Sequence, residues 1–185
     1  MTPAGRLVAV VGPSGVGKDS VMAGLHARLP DLRPVRRTIT RAPDLGGEDY
    51  TPATVAEFDR LRAQGAFCLH WGAHGLFYGI PMETLQAVRD GHDCLANLSR
   101  GALVQASQVF PALTVLHITA SPQTLAKRLA GRGRETEAEI AARLAQAAKP
   151  LPELPTPVRV IEVANDGALE DAIGSAAQAL YPVRA

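Results

Sequence analysis

The sequence predicts an α/β fold in which a largely parallel sheet carries helices on both faces. Three observations predict it. Short apolar runs of strand character alternate with helical segments along the whole chain. The first run, Leu7 to Val11, leads directly into a glycine-rich loop and then a helix. The composition, 46% apolar and 20% charged over 185 residues, is that of one globular domain large enough to bury a core.

Taken in order, Leu7-Val8-Ala9-Val10-Val11 is a continuous β-rich run and reads as a buried strand. A helix follows from about Lys18 to Leu29 and stops at Pro30. Val35 to Thr40 reads as extended. Thr54 to Gln64 reads as a helix, opened by a Thr54/Glu57 capping box and closed by Gly65. Phe67 to Trp71 is a strand. Pro81 to Asp90 is a helix with proline in its first turn and Gly91 after it. Asp93–Leu98 and Thr114–Thr119 are strands with a helix between them. Ser121-Pro122 opens a helix to about Leu129, and Glu135 to Ala148 forms another, ended by Pro150. Val158 to Val163 is a last strand and Ala168 to Leu180 a last helix. Strands separated by helices require right-handed crossovers, hence the parallel sheet. Four prolines between Lys149 and Pro157 make a stiff connector inside the domain.

Charge and composition exclude whole classes of function. Lys+Arg is 19 against Asp+Glu 18, without the basic excess of a non-specific nucleic-acid or membrane binder. Aromatic residues, at 4%, are too few for a platform that stacks single-stranded bases. Two cysteines without CxxC spacing argue against a disulfide scaffold or a zinc site. The apolar run at the N-terminus is too short for a signal peptide or a membrane span, so a cytoplasmic setting is expected. Only Lys18, Lys127 and Lys149 are lysines; the remaining cations are arginines, the better forks for phosphate and carboxylate.

The chemistry is carried by Gly12-Pro13-Ser14-Gly15-Val16-Gly17-Lys18-Asp19-Ser20, a G-x-x-x-x-G-K loop between strand and helix. Its glycines allow successive N–H groups to turn inward as an anion nest, and the helix N-terminus adds its positive pole. Lys18 supplies a full charge for the β- and γ-phosphates of a nucleotide. The hydroxyl expected after the lysine is replaced by Asp19, with Ser20 next. Two readings stand for Asp19: a complement to the helix dipole, or a ligand for Mg²⁺.

Beyond the loop, Thr38-Ile39-Thr40-Arg41, Gly47-Glu48-Asp49-Tyr50, Phe67-Cys68-Leu69-His70-Trp71, Phe77-Tyr78-Gly79, Gly131-Arg132-Gly133-Arg134-Glu135 and Asn165-Asp166 follow in order. With them the chain resembles the guanylate-kinase-like group of P-loop kinases over nearly its whole length. It departs where that group reads guanine. His70 stands where a glutamate is usual, Ile80 where a hydroxyl is usual, and Asp44 where a second phosphate-binding arginine is usual. The strand ending at Asn97 lacks the usual carboxylate. The loop motif, Trp71-x-Ala73-His74-Gly75-Leu76-x-Tyr78-Gly79 and Asn97-x-Ser99-Arg100 together resemble the ribose 1,5-bisphosphate phosphokinases.

That resemblance implies ATP-dependent phosphorylation of ribose 1,5-bisphosphate to 5-phosphoribosyl 1-diphosphate, in phosphonate degradation. Guanylate or other nucleoside monophosphate kinase activity is the alternative, and a non-catalytic guanylate-kinase-like interaction domain a remoter one. It implies a single P-loop kinase domain with a substrate-binding segment at about 35–90 and a lid at about 128–145. Lys18, Arg132 and Arg143 are the expected catalytic cations. Gly12 to Ser20, Arg128 and Asn165 are expected on ATP, and Asp19 and Ser20 on Mg²⁺. Arg37, Arg41, His74, Tyr78, Asn97 and Arg100 are expected on a small phosphorylated sugar. Neither nucleic acid nor membrane is expected as a partner, and a homodimer is compatible with the sequence. Each arginine would serve equally in a surface ion pair, His74 as a turn residue, and Asn165 as a helix-capping turn. Trp71 is read as core.

Overall fold

The computed structural model describes residues 5–43 and 47–183. Among these residues run nine strands and seven α-helices, arranged as two sheets rather than one. In chain order they are β1 (Leu7–Val11), α1 (Lys18–Arg28), β2 (Arg33–Pro34), β3 (Thr38–Ile39), β4 (Thr51–Pro52) and α2 (Val55–Ala63). Then come β5 (Phe67–Ala73), β6 (Leu76–Pro81), α3 (Met82–Arg89), β7 (Cys94–Asn97), α4 (Leu103–Val109) and β8 (Leu113–Thr119). The chain ends with α5 (Pro122–Gly131), α6 (Glu137–Ala147), β9 (Arg159–Ala164) and α7 (Leu169–Leu180).

The main sheet has the order β2-β7-β1-β8-β9, and its pairings are parallel. β1 is fully buried because each of its faces meets a separate apolar cluster. Val8 and Val10 point to the side of α1, α5 and α7, among Val21, Leu25, Leu125 and Ile173. Leu7, Ala9 and Val11 point to the side of α3 and α4, among Leu85, Val88, Leu103 and Ala106. Gly24 sets how closely α1 meets α7: a Cβ there would lie 2.1 Å from Ile173 Cδ1.

The main sheet is the parallel sheet expected, and a second sheet, β4-β3-β6-β5, is built from the segment between α1 and α3. β3 and β4 pair parallel, while β6 is antiparallel to both β3 and β5. The strand expected at Phe67–Trp71 continues to Ala73 and turns back through His74-Gly75 into β6, which the sequence reading did not identify. Both turn residues have positive φ, 53° and 73°, the pattern of a two-residue hairpin turn whose twist matches its strands. Buried Leu69 and Ile80 tie this sheet to the α3/α4 side of the core. The extended segment expected at Val35–Thr40 is where the chain leaves the main sheet after β2 and enters the second at β3. Pro81 ends β6 and caps α3 rather than lying inside it, since its ψ of 147° is still extended.

Helix boundaries otherwise follow their caps. Thr54 and Glu57 form the expected box, and Thr136 with Glu139 forms a second, so α6 begins at Glu137 instead of Glu135. α6 carries no fully buried residue; Leu144 and Ala147 pack at the margin of the α1/α7 core. The proline-rich connector runs back over the other cluster through Leu151, Leu154 and Val158. Among the described residues no helix is long and apolar enough to cross a membrane.

Candidate functional site

A cavity of about 790 Å³ opens at the C-terminal ends of the main-sheet strands, between the second sheet and α6. One wall is the loop after β1. Gly12 passes so close to β8 that a Cβ would lie 2.5 Å from Ile118 O. Val16 buries its side chain in the α1/α7 core and pins the loop from behind. Gly15 and Gly17 have φ of 83° and 91°, conformations that glycine adopts without steric cost. Gly17 then caps α1, so the first N–H groups of that helix face the cavity.

Lys18 curls back over this loop, its Nζ donating to Gly12 O at 2.7 Å and Pro13 O at 3.4 Å. Burial pushes its ammonium down from the ordinary 10.5 to about 8; Asp19 and Glu48 pull it up, while Arg37 and Arg100 push it down. The ammonium is therefore poorly hydrated and stands near the charges of Arg37 and Arg100, a setting suited to polyphosphate.

Arg128 and Asn165 stand behind the loop, off the cavity wall. Asn165, only 5% exposed, donates through Nδ2 to Val16 O at 2.8 Å. Arg128 Nη2 donates to Asn165 O at 2.7 Å and its Nη1 to Val16 O at 3.4 Å. Both were expected to touch nucleotide. Here they brace the loop, because β9 delivers Asn165 against the turn at Val16 and α5 delivers Arg128 beside it. Gly17 leaves room for this brace; a Cβ there would lie 2.9 Å from Asn165 Nδ2.

The opposite wall is built from the second sheet and the end of β7. Arg37, Arg41, His74, Tyr78, Asn97 and Arg100, the residues expected on the sugar, all line the cavity. His74 reaches it from the hairpin turn, which accounts for a non-glycine residue at positive φ. Trp71 and Tyr78 stack with centroids 5.4 Å apart and planes 10° apart. Trp71 packs against the α3/α4 core and donates from Nε1 to Ser99 Oγ at 2.9 Å, in keeping with a packing role. Arg41 lies over the Tyr50 ring at 5.3 Å. Arg37 is buried and held by Glu48, which also lines the cavity.

The third wall is α6 and the end of α5. Arg132 and Arg143 line the cavity from there. Arg143 Nη2 is 3.3 Å from Glu135 Oε1 in an ion pair whose glutamate is 9% exposed. Arg100 bridges two walls: its guanidinium donates to the carbonyl oxygens of Gln146 and Lys149 at the end of α6. Those carbonyls carry the negative pole of the helix, which makes them good acceptors for a cation.

Asp19 and Ser20 are exposed at the cavity rim, at the start of α1. Among the described residues no three His, Cys, Asp or Glu side chains cluster as a metal cage. One carboxylate beside one hydroxyl fits a hard cation that keeps most of its waters and is otherwise held by phosphate. The Asp44 position lies outside the described residues. Glu48, Ser99, Glu139 and Gln146 also line the cavity, though nothing at these positions marks them as site residues by itself. Glu48 and Ser99 sit inside quoted motifs, whereas nothing in the pattern marks Glu139 or Gln146 beyond their spacing on α6.

Comparison with known proteins shows what the chain is similar to. The family model described as guanylate kinase matches residues 4–180. The chain is 52% identical over 182 residues to the ribose 1,5-bisphosphate phosphokinase PhnN of Ruegeria sp. (strain TM1040), covering 98% of this chain and 94% of that one. It is 44% identical over 176 residues to the protein of the same name from Rhizobium etli (strain CIAT 652), covering 91% and 85%. Among solved structures, guanylate kinase from Anaplasma phagocytophilum shares the fold with a TM-score of 0.68 at 18% identity, covering 97% of this chain and 85% of that one.

Proposed function

This chain belongs to the guanylate kinase family and, within it, to the ribose 1,5-bisphosphate phosphokinases, and from that premise we propose how its cavity works. The enzyme transfers the γ-phosphoryl group of ATP to the 1-phosphate of ribose 1,5-bisphosphate, giving 5-phosphoribosyl 1-diphosphate and ADP. An oxygen of the acceptor phosphate forms the new bond to phosphorus, and the bond to the β-bridging oxygen breaks. Such a transfer needs alignment and charge neutralisation rather than a covalent intermediate.

In this reading the loop N–H groups and Lys18 hold the β- and γ-phosphates, with Arg128 and Asn165 keeping the loop in shape. Arg132 and Arg143 approach the transferring group from the lid, where two cations would stabilise charge spread over its oxygens. Arg41 and Arg100, with His74, Tyr78 and Asn97, face the acceptor. Asp19 and Ser20 would hold Mg²⁺, which when bound would supply positive charge to neutralise the phosphates. The setting we assign is the cytoplasm, with a small phosphorylated sugar as the partner.

The observation that carries the substrate reading, beside the relatives, is the lining of the acceptor wall. Ile80, where a nucleobase reader would offer a hydroxyl, is fully buried in the apolar core. The arginines that face the cavity suit phosphates, and its carboxylate, amide and hydroxyl groups can meet sugar hydroxyls. The test is ATP consumption with ribose 1,5-bisphosphate beside GMP, dGMP and AMP, with the product identified by phosphorus NMR. Ribose 1,5-bisphosphate should be used far more efficiently than any nucleotide. Equal efficiency with GMP would return the chain to the nucleotide kinases.

A further inference from the structure

The arginine expected to grip an acceptor phosphate, Arg37, already has its fork occupied. Its Nε donates to Glu48 Oε2 at 3.0 Å, and its Nη2 pairs with Glu48 Oε1. The side chains are 6% and 18% exposed, so this is a largely desolvated pair. The guanidinium lies 4.7 Å from the Tyr78 ring centroid and 5.9 Å from that of Trp71, on the flank of their stack. The stack is fixed in turn by the hydrogen bond from Trp71 to Ser99. Arg37, Glu48, Tyr78 and Ser99 all line the same stretch of cavity wall.

Such a pair is poorly suited to bind phosphate but well suited to bind a neutral hydroxyl donor. A carboxylate has about four acceptor directions, and a two-point arginine contact uses about two of them. A bare carboxylate beside two phosphates would repel them. With Arg37 attached the pair is close to neutral overall, yet it still offers acceptor lone pairs in a fixed place. The sugar ring of the acceptor carries hydroxyl groups and no base, and its hydroxyls require acceptors of this kind.

Resting on the proposed acceptor, we propose that Glu48 is the residue that reads the ribose ring hydroxyls, and that Arg37 is a positioning residue that orients and neutralises it. The enzyme then selects a ribose bisphosphate over its deoxy counterparts at this pair rather than through its phosphate-binding arginines. Loss of a hydroxyl leaves a partly desolvated carboxylate lone pair unmatched, and sites built to bind a substrate hydroxyl discriminate strongly for that reason.

The test compares kcat/KM for ribose 1,5-bisphosphate with its 2-deoxy and 3-deoxy analogues. The wild-type enzyme should prefer ribose by about 100-fold or more over at least one analogue. Glu48→Gln should lower activity on ribose, leave activity on that analogue nearly unchanged, and shrink the ratio to within about threefold. Glu48→Gln leaves Arg37 without its countercharge, so an Arg37→Met/Glu48→Met double variant is measured beside it; replacing a buried pair by apolar groups of similar size is often tolerated. The double variant should lose the same ratio. Retention of the wild-type ratio in either folded variant, or a wild-type enzyme indifferent to both hydroxyls, overturns the inference while leaving the kinase reading intact. A wild-type enzyme that uses GMP but not ribose 1,5-bisphosphate overturns the parent reading, and the inference with it.

Discussion

The two ends of the cavity present positive charge in different ways. Around the loop after β1 it comes chiefly from backbone N–H groups and one lysine, in a turn pinned by Val16, Asn165 and Arg128. Across the cavity it comes from arginines that already have partners. Arg37 is held by Glu48, Arg143 by Glu135, and Arg100 by the carbonyls ending α6. The first end is preorganised, so binding there needs little rearrangement. At the second end a phosphate must displace a partner or be reached by a group held in place by one. The α6 wall has no fully buried residue to resist such movement, whereas the loop is anchored in the core.

The sharpest way to break this contrast is Lys18→Ala. Lys18 is the cation that lines the cavity from the preorganised end, and its removal should cost at least ~3 kcal/mol of transition-state stabilisation, about two orders of magnitude in rate. The fold should survive, because burial of the ammonium is itself unfavourable in the free protein. Circular-dichroism melting beside steady-state kinetics checks both parts; near-normal turnover would remove Lys18 from the mechanism.

Asp19 tests whether the metal belongs to the same end. Asp19→Asn should raise the Mg²⁺ concentration needed for half-maximal activity by roughly tenfold and lower kcat, if the carboxylate approaches the ion directly or through a water. An unchanged Mg²⁺ titration would leave Asp19 as a partner of the helix dipole alone.

The pH dependence sharpens the comparison further. Burial holds Lys18 near 8 in the free protein, and a bound polyphosphate favours the ammonium and raises that value. Below pH 8 the free lysine is already charged, so affinity for ATP should be nearly flat. Above it, binding must take up a proton, and affinity should fall by up to about tenfold per pH unit until the bound group also titrates. For folding the sign is opposite. Between about 8 and the ordinary 10.5 the unfolded chain holds more protons at this site, so its contribution to stability improves as pH rises. Calorimetric titration in buffers of different ionisation enthalpy would measure the proton uptake, and Lys18→Arg should abolish it.

What could be read from the sequence follows the same division. The strand, loop and first helix depend on contiguous residues, and Leu7–Val11, Gly12–Gly17 and Lys18 stand as their pattern indicates. Thr54 and Glu57 announce their helix for the same reason. β6 was hidden by two local features. Its hairpin turn places His74, not Asn or Asp, at positive φ, and Gly79 interrupts the strand. Gly79 is there for packing: a Cβ would lie 2.6 Å from the Phe67 ring. The pairing of Arg37 with Glu48 could not be read at all, since it depends on where the chain leaves one sheet for another. The resemblance places Arg128 and Asn165 each on ATP, but their meeting behind the loop depends on how α5 and β9 come together and is not legible in the sequence.

The smallest effect expected concerns the tie between the two ends. Arg100 follows β7, beside the loop, yet its guanidinium ends on the carbonyls of Gln146, in the last turn of α6, and of Lys149, just beyond it. Two charged hydrogen bonds to helix-end carbonyls hold the last turn of a helix that is otherwise attached only by its margin. Because the side chain remains partly in solvent, the tie should contribute about 1 kcal/mol, toward the low end for charged hydrogen bonds. Arg100→Met keeps the aliphatic stem and removes the donors. Amide hydrogen exchange in the final turn of α6 should then speed up by roughly fivefold, with exchange in α1 unaffected. The same variant should raise KM for the sugar more than KM for ATP, because Arg100 lines the acceptor side of the cavity while Lys18 and the loop are untouched. Unchanged exchange in α6 would mean that packing of Leu144 and Ala147 alone holds the helix, and that the two ends of the cavity are not joined through Arg100.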